Sequence, residues 1–214
     1  MSKITNQIFG KFYDKEIVLT TLSDKNTSVS IMNWGATIQN WTVYNSTEKQ
    51  SSVVLGFENF DLYPKFSPFF GSIVGRVINR INKGSFELNG TRHQLDINRP
   101  PNHLHGGINS FGKSIWNFET DEKNNNLNTT AAQLFNPANN LNLNLWTDQP
   151  GIQVYNAYKL DLSEKGLNGL IYKNFAGICL EDQKFPDSVN HSHFPSIISS
   201  PEKPYLHQSI IEIL

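Results

Sequence analysis

The sequence predicts an all-β chain, and three observations carry that expectation. Short apolar or β-branched runs of period two recur between Asn, Asp, Gly and Pro. Almost nowhere does a period of 3.6 residues persist over three turns. Asn89-Gly90 stands between SFEL and RHQL, and Asn-Gly readily takes the positive φ angles of a tight hairpin turn. Taken in order, the expected strands are Glu16 to Leu22, Ser28 to Met32, Thr37 to Tyr44 and Ser52 to Gly56, then the pair around Asn89-Gly90. Towards the C-terminus Ile152 to Leu160, Tyr172 to Leu180 and Gln208 to Ile213 alternate, each with one face for a core and one for water.

A length of 214 residues suits one domain with ample material for a core. Two patterned blocks, 1–118 and 145–214, are joined by the Asn-rich stretch 119–144, which reads as an exposed, irregular linker because it is low in complexity and poor in aromatic residues. Charged residues make up only 17% of the chain, against roughly 25% in an ordinary globular protein, and 26 asparagines fill the deficit. Eighteen Lys and Arg against nineteen Asp and Glu give a net charge of -1, so no basic excess favours a nucleic-acid partner. No run approaches the roughly eighteen apolar residues of a membrane span, and MSKITNQIFG lacks the apolar core of a signal peptide. One cysteine, Cys179, rules out an internal disulfide framework and any Cys-based zinc site, which suits a reducing, cytoplasmic compartment.

Three segments could carry chemistry. In Asn102-His103-Leu104-His105-Gly106-Gly107 two histidines at i, i+2 on an extended segment point the same way, before glycines that permit close approach. The plain alternative is a turn in which one histidine only bonds backbone. Glu181 follows the apolar Ile178, Cys179 and Leu180, a placement that desolvates its carboxylate, raises its pKa and suits a general base. Its alternative is a solvated acid at a strand end. In Gly75-Arg76-Val77-Ile78-Asn79-Arg80, strand alternation would set Arg76 and Arg80 on one face, and Arg with Asn is a usual pairing for sugar hydroxyls. Its alternative is a surface ion pair. A second pair, His191 and His193, could join the first pair and Glu181 in a metal site, although only spacing supports it.

These segments together resemble the aldose 1-epimerase (galactose mutarotase) family. The likeness runs through Asn33-Trp34-Gly35-Ala36-Thr37-Ile38, Val54-Leu55-Gly56-Phe57, Phe70-Gly71 and GRVINRI, the hairpin, NHLHGG with Phe111 and Trp116, TDQPGIQVY, GICLEDQKFPDSVNHSHFPS and the closing strand. Their order is the family's order. The resemblance implies an antiparallel β-sandwich, the supersandwich, whose concave face holds a free aldose and which needs no cofactor and no metal. It implies a Glu that takes the proton of the anomeric hydroxyl and a His that polarises or protonates the ring oxygen, so that the ring opens and recloses as the other anomer. By matching position, Glu181 falls on the base and His105 on one of two active-site histidines, while Arg80, Asn79 and Gln153 fall on substrate contacts.

Full-length family members carry a long central region that holds the second histidine and a substrate-binding Asp. Here the Asn-rich stretch stands in its place, so the sandwich is expected to be internally truncated. The chain is accordingly expected to be an epimerase impaired by that loss, or a sugar-binding relative without turnover. Uncovered sheet edges also invite self-association.

Overall fold

The computed structural model describes residues 3–44, 50–117, 119 and 130–214. Its larger sheet is an antiparallel meander of five strands in chain order: β1 (Lys3–Phe12), β2 (Lys15–Ser23), β3 (Thr27–Met32), β4 (Thr37–Tyr44) and β5 (Gln50–Ser52). Period-two alternation along β2 turns Ile17 and Leu19 inward, where they meet Met32, Trp34, Phe57, Phe60 and Tyr63 in the principal core. The last two come from a single helical turn, Phe60–Leu62 followed by α1 (Tyr63–Phe66), that lays aromatic rings edge-on against Phe9, Phe12 and Trp34. Tyr63 is fully buried, and its hydroxyl oxygen accepts the backbone N–H of Phe57 at 3.0 Å. A bulge between Ile8 and Gly10 shifts the register of β1, and a Cβ on Gly10 would stand 2.6 Å from Phe60.

The expected hairpin is β7 (Ser85–Leu88) and β8 (Thr91–Gln94), with Leu88 opposite Thr91 and with Asn89 and Gly90 at φ 52° and 75°. Three further small sheets are antiparallel: β6 (Arg80–Ile81) with β9 (His103–Leu104), β12 (Gly151–Tyr155) with β13 (Cys179–Gln183), and β10 (Thr130–Asn136), β11 (Leu141–Thr147) and β14 (Ser209–Ile213) together.

Several boundaries differ from the sequence reading. Local alternation missed β1 and placed β5 too late, since that strand covers Gln50–Ser52 rather than Ser52 to Gly56. The strand expected over Ile152 to Leu160 ends at Tyr155, because Ala157 turns the chain at φ 53° and packs with Leu160 and Tyr172 in a small second core. Tyr172 to Leu180 is likewise loop until Cys179, with Phe175 at φ 64°. Gly75-to-Arg80 is not a strand with two arginines on one face: only Arg80 enters β6, and Arg76 lies over the Phe111 ring, 5.3 Å from its centroid.

The largest correction concerns the Asn-rich linker. Residues 120–129 lie outside the described residues, but 130–144 is not an irregular segment: it supplies β10 and most of β11. Leu141, Leu143 and Leu145 alternate with asparagines, and Leu145 is buried opposite Ile211. Low overall hydrophobicity concealed that period. Asparagine is used here rather than merely tolerated: the Asn136 and Asn139 side chains accept the N–H groups of Ala138 and Leu141 in the turn. Asn144, also buried, accepts from Gln133 and donates to Glu212, each at 3.0 Å, across all three strands.

Candidate active site

Strand pairing sets Gln153 directly opposite Glu181, which places both side chains on one face of the β12–β13 pair. Asn79 joins that face to the NHLHGG loop. Its Nδ2 donates to Oε1 of Gln153 at 3.2 Å, its backbone N–H donates to Nδ1 of His105 at 3.2 Å, and its carbonyl accepts the N–H of His105 at 3.0 Å. Its Oδ1 accepts from the Arg80 backbone at 2.9 Å and from the guanidinium at 3.4 Å. Asn79 is buried, and its φ of 59° is a conformation that asparagine tolerates better than most residues. His105 is also left-handed, at φ 50°, so the second histidine leaves the extended path. The following Gly106 is required by space, since a Cβ there would stand 1.7 Å from the carbonyl oxygen of Gly75.

The two histidines of His-x-His therefore have different surroundings. His103 is buried and its Nδ1 meets the carbonyl of Asp96 at 2.9 Å, so it serves the loop that carries His105. His105 packs against Phe69, ring centroids 5.2 Å apart. Burial, helped by the positive charge of Arg80, lowers the His105 pKa to about 4. Because its Nδ1 accepts a backbone N–H, the neutral ring carries its proton on Nε2 and can donate from there.

Glu181 is displaced in the opposite direction. Burial raises its pKa, and the nearby Arg80 charge offsets part of that rise. Its Oε2 is buried with no hydrogen-bond partner among the described residues. The neighbouring Cys179 thiol is pushed up by burial and by the Glu181 carboxylate. Glu181, His105, Arg80, Asn79 and Gln153 thus stand in one connected group, although Asn79 and Gln153 lie 74 positions apart in sequence. Two surface hollows, of 480 and 330 Å³, lie elsewhere, around Glu58 with Glu164 and around Leu55 with Leu170, and none of the five residues lines them.

The sequence reading gives Asp187 no role. In the structure its carboxylate accepts the N–H of Asn82 at 3.0 Å and Nδ2 of Asn190 at 2.7 Å, tying the loop after β13 to the strand that carries Arg80. The turn-forming Phe185-Pro186-Asp187 was the available signal. The second His-x-His pair does not assemble a metal site with the first. His191 meets Asp187 at 3.4 Å and His193 packs on Phe194, and among the described residues no three His, Cys, Asp or Glu side chains are placed to share a metal ion.

The family model described as "Aldose 1-epimerase" matches residues 18–133 and 123–212 of this chain. The chain belongs to that family. It is 26% identical to mouse galactose mutarotase over 333 residues, covering 97% of both chains, and 40% identical to the aldose 1-epimerase of Haemophilus influenzae over 103 residues, 47% of this chain and 29% of that one. A solved structure of the GalM/aldose epimerase homologue from C. elegans superposes with a TM-score of 0.75 at 16% identity, covering 100% of this chain and 98% of that one, and so shares its fold. The fold class is the antiparallel β-sandwich. An alignment of 333 positions against a chain of 214 leaves at least 119 positions where the mouse protein has residues and this chain has none.

Proposed function

We propose that this chain is an aldose 1-epimerase acting on a free hexose such as galactose or glucose, with Glu181 as the base. The observation that carries the reading is the single connected group: Glu181 with a raised pKa beside Gln153, and Asn79 holding Gln153, Arg80 and a neutral His105. Glu181 takes the proton of the anomeric hydroxyl, and the O–H electron pair becomes the second bond of the C1 carbonyl. The bond from C1 to the ring oxygen breaks, its electron pair going to that oxygen, which the Nε2–H of His105 stabilises by hydrogen bonding. After rotation about C1–C2 the same steps in reverse close the other anomer. Arg80, Asn79 and Gln153 bind hydroxyls.

The proton for the opened ring oxygen is the weak point. With a pKa of about 4, His105 is protonated in only about one molecule per thousand at pH 7. A neutral imidazole donates a hydrogen bond well and a whole proton poorly. Turnover is therefore slow unless a second acid is present, which favours the second reading, a sugar-binding relative with little or no catalysis. The at least 119 positions absent relative to the mouse protein favour it too.

Polarimetry of α-D-galactose and α-D-glucose with wild type and Glu181→Gln decides between them. Acceleration by wild type that returns to the buffer rate in Glu181→Gln supports the epimerase. Galactose binding with both proteins at the buffer rate supports the sugar-binding reading, and the absence of binding overturns both.

The reading places the protein in the cytoplasm, in keeping with its free Cys179. No helix among the described residues is long and apolar enough to cross a membrane. Self-association belongs to the same proposal: β10 is an edge strand and its Phe135 is 64% exposed. Light scattering on purified protein tests it, with a monomer at all concentrations as the contrary result.

A further inference from the structure

Among the described residues, four buried side-chain polar atoms lack a hydrogen-bond partner: Trp34 Nε1, Glu181 Oε2, and both carboxamide atoms of Gln183. Three of the four belong to one face of β13, because residues two apart in a strand point the same way. That face runs from exposed Cys179 through half-buried Glu181 to Gln183, which is 3% exposed. The Cα atoms of Glu181 and Gln183 are about 6.6 Å apart, two strand rises, a gap that a carboxylate and a carboxamide bent towards each other can close. Across the sheet, Gln183 faces Gly151, which offers it no side chain. The ring of Phe185 fills the space beside that glycine, 2.9 Å from where its Cβ would stand.

Leaving a buried carboxamide unpaired is costly, and a methionine of similar size would fill the position without that cost. An ionised carboxylate oxygen in the same buried strip is the acceptor such an amide needs. We propose that Gln183 is the positioning residue of Glu181: the two side chains do not bond each other in this structure, and on ionisation of Glu181 a rotation of the neighbouring carboxamide brings its Nε2–H group onto Oε2 and fixes the rotamer that leaves Oε1 for the sugar hydroxyl. This deepens the reading of Glu181 as base and rests on it. Among the described residues, the other charged or titratable groups on or beside the Glu181 face are Arg80, from β6, Cys179, from β13 itself, and His105, joined to the same face through Asn79; Asp182 points to the opposite face.

The test needs no turnover. Carboxyl carbon NMR follows the titration of Glu181 in the full chain, in wild type and in Gln183→Met, without sugar. Loss of a donor to the ionised form should raise the Glu181 midpoint by about one pH unit, a tenfold change in proton affinity. In wild type the side-chain amide resonances of Gln183 should move with the Glu181 midpoint, and should cease to do so in Glu181→Gln; this second measurement stands even where Gln183→Met does not fold. A folded Gln183→Met with an unchanged midpoint, or Gln183 amide resonances indifferent to the titration, overturns the proposal. Where the protein accelerates mutarotation, the acid limb of kcat/KM moves up with the midpoint. Should no acceleration occur while the titrations behave as expected, the epimerase reading fails and the positioning role stands.

Discussion

Asp187 and Arg80 are held backbone to backbone, the N–H of Asp187 donating to the carbonyl of Arg80 at 3.0 Å. Asp187 is left-handed at φ 59°, and its carboxylate closes the same junction through Asn82 and Asn190. The chain leaving the Glu181 strand is thereby fastened to the strand that carries Arg80. Removing the carboxylate in Asp187→Ala should cost about 1 kcal/mol of stability, lower Tm by a few degrees and weaken galactose binding. Asp187→Asn, which keeps Oδ1 as an acceptor, should lie between that variant and wild type. Thermal unfolding and titration calorimetry measure both, and unchanged sugar affinity in Asp187→Ala would remove Asp187 from the site.

Two opposed proton equilibria shape the acid side of the stability profile. His105 has its folded pKa lowered to about 4, so between its unfolded value of 6.5 and that value the unfolded chain binds the extra proton. Its contribution is fully present above pH 6.5 and declines as pH falls to about 4. Glu181 acts in the reverse sense, because its folded pKa lies above the unfolded 4.5: its contribution is present at low pH and is lost as pH rises through the folded value. Denaturant unfolding from pH 4 to 7 should therefore show a weaker slope in His105→Gln and a steeper one in Glu181→Gln.

A separate cluster joins β13 to the segment entering β14. Asp182 accepts from Thr147 at 2.5 Å and from Ser209, and meets Nε2 of His207 at 2.7 Å, while the Tyr205 hydroxyl reaches Nδ1 of His207 at 3.1 Å. Ser209 and Asp182 share the same imidazole nitrogen, so this is a clasp and not a relay that activates a serine. The hydrogen bond with Asp182 raises the His207 pKa against partial burial, helped by the charges of Asp182 and Asp148. Burial would raise Asp182, but the hydrogen bonds from His207, Ser209 and Thr147 outweigh it and hold the group at about 2. The His207 contribution is complete below pH 6.5 and fades as pH climbs through the raised value; that of Asp182 is complete above 3.8 and fades towards 2. Protection of the β14 amides, measured relative to the intrinsic exchange rate at each pH, should fall on the alkaline side, and His207→Gln should abolish that fall.

The hairpin of β10 and β11 should be protected where the Asn-rich composition suggested otherwise. β11 is the central strand of its sheet, and Leu145 is 2% exposed. Slow exchange at the Leu143 and Leu145 amides is expected, and Leu145→Ala should cost about 2–5 kcal/mol. Fast exchange throughout 130–147 would mean that these strands are not formed in solution.

The amino-acid sequence by itself determined the β class, the Asn89-Gly90 hairpin and strands such as β2 to β4, because each depends on a period of two or a turn dipeptide within a few residues. Ordered family motifs also determined which residues to expect at the site. Only the tertiary structure decided that Ala157 and Leu160 fill a loop core, since a period-two pattern looks the same whether a strand or a turn buries it. It alone separated His103 from His105, through a left-handed backbone and bonds to different partners. Asparagine-rich sequence looked unable to order itself because composition counts side chains singly, whereas Asn144 is satisfied by Gln133 and Glu212 on two other strands, the second 68 positions away. Hydrogen bonds between such distant residues have no local signal, and they are what gather Asn79, Gln153 and Glu181 into one group.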